Sequence, residues 1–284
     1  MKTTTARNSI LSLLLIPLAL GCFALSQTAR AVSPAPDGGY PGGNTAEGLQ
    51  ALQSLTTGIW NTANGYQTLF HDTTGSSNTA TGIQALFGNT TGGPNIATGA
   101  QALFSNTTGA NNSATGFQAL NLNKIGSNNV ANGYRALFAN TSDLNTAIGA
   151  VTLTKNTTGT RNTANGADAL NHNVSGQFND AVGAFALFNN TDGFSNNALG
   201  DSALFKNIHG ASNTAIGDLA LSNNDSTGKS LGNFNTAVGA EALLNNTDGN
   251  PNNAVGFNAL GSNTDGTFNN VLGFHAMGDN VHGT

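Results

Sequence analysis

Cysteine occurs once in 284 residues, at Cys22. That residue lies inside a stretch with the marks of an export signal, so the mature chain forms no disulfide. Charge is scarce, at 8% of residues, which argues against the highly charged type of disordered chain. Basic residues are scarcest, with nine Lys and Arg against fourteen Asp and Glu. Removing residues 1–31 takes away Lys2, Arg7 and Arg30 and moves the formal charge from −5 to −8. Nothing basic remains to follow a phosphate backbone, which argues against nucleic acid as a partner. Long apolar runs are missing as well. The longest, Ile10 to Leu20, is interrupted by Pro17 and is too short for a membrane-spanning helix.

What the chain has in abundance is a period. The stretch Asn78 to Pro94, NTATGIQALFGNTTGGP, recurs in 14 units that open at Asn44, Asn61, Asn78, Asn95, Asn112, Asn129, Asn145, Asn162, Asn179, Asn196, Asn213, Asn235, Asn252 and Asn269. The spacing is 17 residues except for one of 16 and one of 22. A period that does not drift means stacked copies of one supersecondary unit. Position five is glycine in every unit; position three is alanine except at Val271, and position nine is leucine except at Met277. Small residues at three and five suit a strand with one face against another backbone. Ala-Leu at eight and nine, often followed by Phe as in Phe70, Phe87, Phe104, Phe138, Phe188 and Phe205, reads as a second short strand. Asn at position twelve and Gly near fifteen read as turn residues that tolerate left-handed backbone. Two glycines per unit, each costing roughly 1 kcal/mol in a helix, argue against helix. The fold class expected is therefore all-β: a parallel β-solenoid or β-roll of about 14 coils, with a thin core that neighbouring coils or chains must supplement.

Three regions are expected. Residues 1–31 form a secretory signal peptide, with basic Lys2 and Arg7, an apolar run, and Ala29-Arg30-Ala31 before the cleavage point. A lipoprotein signal, with Cys22 as the lipidated residue, is the rival reading. Residues 32–43, VSPAPDGGYPGG, form a linker too rich in Pro and Gly for regular structure. Residues 44–284 form the solenoid. Within it, position four changes character. It is polar at Glu47, Asn64, Thr81, Thr98, Thr115, Asn132 and Asn165, then aliphatic at Val182, Leu199, Ile216, Val238, Val255 and Leu272, with Ile148 alone breaking the division. Such a row of six aliphatics marks a candidate oligomer face. The long unit carries its extra residues within Asn223 to Phe234, as a corner loop.

Catalytic and ligand motifs are missing. Gly228-Lys229-Ser230 has Asn223 where a phosphate-binding loop needs glycine. The histidines at 71, 172, 209, 275 and 282 are read as sharing no fixed repeat position and showing no paired metal-ligand spacing. Asp192, Asp248 and Asp265 recur at position fourteen in Thr-Asp-Gly, as turn residues do, and the calcium-binding nonapeptide is missing. No serine nucleophile is flanked by glycines, and no acidic pair sits beside a basic partner at recurring spacing. No catalytic, cofactor-binding or metal residue is assigned, and no enzymatic activity is expected. Asn-x-Thr sequons arise from the repeat itself. Thr79, Thr81, Thr98 and Thr115 form a candidate outward threonine face, which an ice-binding or small-ligand solenoid would use.

The units NTAIG, NTAVG and NNAVG followed by Ala-Leu resemble the head repeats of trimeric autotransporter adhesins and similar repeats of bacterial surface proteins and phage-like fibres. The resemblance covers Asn44 to Thr284. It implies a left-handed parallel β-roll, three chains side by side, and binding to host or matrix surfaces. The coil here is longer than in the best-known heads. The chain also stops inside its fourteenth unit with neither coiled-coil stalk nor membrane barrel, which argues against self-anchoring by the autotransporter route. The expected function is a non-enzymatic, secreted or cell-surface, adhesin-like or structural protein, a homotrimer without a transmembrane anchor in its mature chain. It would bind matrix protein, polysaccharide or cell envelope through many weak contacts.

Overall fold

The computed structural model describes residues 40–283. The expected signal peptide (residues 1–31, with Cys22) and residues 32–39 of the expected linker lie outside the described residues. Fourteen strands of three residues each, from β1 (Thr45–Glu47) to β14 (Asn270–Leu272), form one parallel sheet in strict chain order. The register is that of the repeat: Thr79 lies opposite Ile96, Ala80 opposite Ala97, Thr81 opposite Thr98. The chain is a β-solenoid, as its period required. Among the described residues no helix is long and apolar enough to cross a membrane. The last linker residues fold onto the first coil, where Tyr40 pairs with Asn44 and the Gly42 carbonyl accepts from Trp60 N–H at 2.9 Å.

Each strand ends at position five because the backbone there turns to positive φ, between 122° and 145°. A side chain at this point would also meet the next coil. A Cβ on Gly82 would lie 2.7 Å from the Gly99 carbonyl carbon. Glycine satisfies both demands.

The expected second strand is not formed. Positions six to ten are turns, and in every unit positions seven and nine are left-handed, as in Gln84 (φ 57°) and Leu86 (φ 51°). A non-glycine residue in that region costs roughly 1–2 kcal/mol. The alternation offsets this by keeping the backbone bonded to the adjacent coils while the chain bends. Gln84 N–H donates to Tyr66 O at 2.8 Å, Leu86 N–H to Ala102 O at 2.9 Å and Gly88 N–H to Phe104 O at 2.9 Å. The leucine side chain meanwhile points inward and is fully buried.

The second correction concerns asparagine. Asn at positions one and twelve is not left-handed and, in nearly every unit, is buried. Asn78 Nδ2 and Asn89 Nδ2 both donate to the Gly92 carbonyl at 2.9 Å. Asn78 Oδ1 accepts from the next coil's Asn95 N–H at 3.0 Å, and Asn89 Oδ1 from Asn106 Nδ2 at 2.8 Å. The interior is thus a stack of Ala, Ala and Leu per coil, with buried Thr68 and Thr152 replacing the second Ala in two coils, flanked by two amide ladders. Buried amides are tolerable because donors and acceptors are matched by identical residues one coil away.

The irregular units keep this interior. In the long unit, Asn213 and Asn224 both bond to the Gly232 carbonyl, at 2.8 and 2.7 Å, so the insertion lies wholly between Asn224 and Gly232. In the short unit the Ser142 carbonyl replaces that of glycine, accepting from Asn129 at 2.8 Å and Asn140 at 2.7 Å. That substitution leaves Asn123 Oδ1 without a donor. The other fault is Asp72 at position twelve. Its Oδ1 accepts from Gly75 N–H at 3.1 Å and Asn89 Nδ2 at 2.9 Å, while its buried Oδ2 has no partner. Burial pushes the Asp72 carboxyl up to about 6.

Candidate functional site

Because Ala at position three faces inward, positions two and four face outward. Val182, Leu199, Ile216, Val255 and Leu272 are exposed, and Val238 is half-buried. They are in register along the sheet, Leu199 beside Ile216 and Ile216 beside Val238. Thr79, Thr81, Thr98 and Thr115 are exposed too. Thr81, Thr98 and Thr115 are consecutive in the same column as the aliphatics, while Thr79 sits in column two beside Ile96. The two candidate faces are therefore two ends of one face.

A second outward column was not recognised from sequence. Position six carries exposed Leu49, Tyr66, Ile83, Phe117 and Tyr134, then Phe257 and Phe274 near the other end. Phe117 stacks on Tyr134 at 5.9 Å and Phe257 on Phe274 at 5.4 Å. Beside it, the glutamines at 50, 67, 84, 101 and 118 form an amide ladder, with Gln67 Nε2 2.9 Å from Gln50 Oε1 and Gln118 Nε2 2.9 Å from Gln101 Oε1. The 17-residue recurrence of Gln was the available signal.

The histidines do fall into columns, contrary to the expectation. His71 and His172 share position eleven, and His209 and His282 share position fourteen. The latter two each stack on an aspartate one coil earlier. His209 Nδ1 lies 2.5 Å from Asp192 Oδ1, and His282 Nδ1 2.5 Å from Asp265 Oδ1. This Asp–His pair recurs at one repeat position, which the sequence reading did not anticipate. The hydrogen bond from His282 holds the Asp265 carboxyl below its usual range, while burial pushes the His172 imidazole down. In the long unit Lys229 Nζ reaches Asp248 at 3.2 Å.

The corner beside His209 holds a hollow of about 550 Å³, into which the Asp192–His209 pair, Phe194, Ser212, Ser230 and Phe234 project. Among the described residues neither serine hydroxyl is hydrogen-bonded to the imidazole. Among the described residues no group of three acidic, His or Cys side chains is placed to hold a metal ion. Six of the sequons put the acceptor nitrogen inside a ladder, at Asn89, Asn106, Asn140, Asn156, Asn173 and Asn224. A glycan on any of them would displace a buried hydrogen bond.

No family model, no curated protein and no solved structure matches this chain.

Proposed function

We propose that the chain is a non-enzymatic, exported surface protein, adhesin-like or structural, that binds extended surfaces through many weak contacts. The supporting observation is the repetition of outward columns along one stack, coil after coil in register. Each coil offers a shallow set of contacts, and rigidly spaced copies gain affinity through effective concentration. Matrix protein, polysaccharide and cell envelope all present extended targets of that kind. In this reading the aliphatic part of column four is covered by other copies of the chain, arranged as a homotrimer.

The in-register threonines Thr81, Thr98 and Thr115 favour a second reading, an ice-binding or small-ligand solenoid. Truncation by whole coils separates the two. Surface retention that declines gradually with coil number supports the first reading. Thermal hysteresis without retention, abolished by bulky replacements at Thr81 and Thr98, supports the second and overturns the first.

A further inference from the structure

The regular surface is interrupted at the long unit, and the interruption is well built. Asp225 is buried and anchors the base of the loop, its Oδ2 accepting from His209 N–H at 2.8 Å and its Oδ1 from Leu231 N–H at 3.2 Å. Asn233 fixes the return, accepting from Ala211 N–H at 2.7 Å and donating to the Ser230 carbonyl at 2.6 Å. The loop is thereby tied to the preceding coil at His209 and Ala211. The volume of the hollow, about 550 Å³, is in the ordinary range for a small-ligand site.

Its lining is of two kinds. Phe194 and Phe234 are 50% and 65% exposed, and they belong to coils two apart, about 10 Å along the stack. The intervening coil contributes only the small Ala211 and Ser212 between the two rings. Around these rings stand Asp192, His209, Ser212 and Ser230. The second carboxylate oxygen of Asp192, Nε2 of His209 and both serine hydroxyls have no hydrogen-bond partner among the described residues.

We propose that this hollow binds one neutral, ring-form sugar residue of a polysaccharide. A sugar ring has apolar C–H faces for aromatic rings and a rim of hydroxyls that both donate and accept. The other ligand classes fit less well. A purely apolar ligand would strip water from the Asp192 carboxylate without replacing its hydrogen bonds. An anion would face that carboxylate, and Lys229, the cation of the loop, is engaged by Asp248. The inference rests on the surface-binding reading above and supplies it with a ligand class.

The test titrates the full exported chain with methyl glycosides of glucose, galactose, mannose and N-acetylglucosamine, followed by NMR. At least one should bind saturably, with millimolar affinity. Phe234→Ala removes a wall. Ser212→Phe fills the hollow at a repeat position where Phe178, Phe234 and Phe268 already stand with left-handed backbone, so the variant should fold. Each should weaken binding by about tenfold, as expected for an aromatic anchor, and Lys229→Ala should leave it unchanged. No saturable binding of any of the four sugars would overturn the proposal, as would binding that survives both changes. Retention of Ser212→Phe on a polysaccharide-coated surface as strong as wild type overturns the hollow and spares the surface reading. Loss of wild-type retention overturns the surface reading, while the titration still reports on the hollow.

Discussion

The coils opening at Asn61 to Asn129 and those opening at Asn179 to Asn235 share one interior and differ outside. Both stack Ala, Ala and Leu between amide ladders, Thr68 alone replacing an alanine. In the first group column four is polar (Asn64, Thr81, Thr98, Thr115, Asn132), and column six carries Tyr66, Ile83, Phe117 and Tyr134. In the second group column four is aliphatic, and column six is reduced to Ala184, Asp201, Asp218 and Ala240. The exposed apolar stripe thus moves two residues around the coil as the chain passes from one group to the other. A shared core does not require that change, which fits the proposal that the two ends of the face meet different surroundings.

If the interiors are equivalent, the same lesion should cost the same in either half. The largest loss is expected at Gly166, where φ is 144° and a Cβ would run into the Gly183 carbonyl; Gly166→Val should prevent the local coils from stacking. Leu103→Ala and Leu243→Ala should each cost about 2–5 kcal/mol in denaturant unfolding. A clear inequality between these two would break the equivalence.

Asp72 sharpens the comparison through pH. Its folded pKa of about 6 lies above the value near 3.9 of a free aspartate. Its contribution to stability is therefore fully present below about pH 4 and is lost as pH rises through 6. Asp72→Asn should stabilise at pH 8, by on the order of 2–3 kcal/mol, and change little at pH 4. Asn207→Asp, the matching position in the other half, should create the same dependence there. Melting curves of the variants against wild type across this range decide it. Equal differences at pH 4 and pH 8 would show that Asp72 is not strained by burial.

The smallest effect is expected outside the ladders. Lys229→Ala, in the corner loop with an exposed ammonium, should shift stability by less than about 0.5 kcal/mol. A larger loss in thermal melts would mean the loop supports the core.

The fold was legible because the period and the small residues at positions three and five leave a stack of short strands as the consistent solution. The rest was hidden for identifiable reasons. Leu at position nine looks like a strand residue, since composition does not reveal left-handed backbone, and only the coil's need to bend places it there. Asn reads as a turn former when taken alone. Its burial follows only when 14 copies, one per coil, are allowed to satisfy one another. Column four was readable because, Ile148 apart, it is polar before Val182 and aliphatic from there on, whereas column six alternates with Ala100, Ala150 and Ala167 and so escaped notice. The hollow needed the inserted loop and three coils together, and no local motif carries it.

The central claim is that the aliphatic end of column four is where copies of this chain meet. Light scattering on the mature protein at micromolar concentration tests it most directly, with Ile216→Lys/Val238→Lys beside Thr81→Lys/Thr98→Lys. The account predicts a trimer for wild type, a monomer for the first pair and a trimer for the second. A wild-type monomer, or a trimer that survives Lys at both Ile216 and Val238, would contradict it.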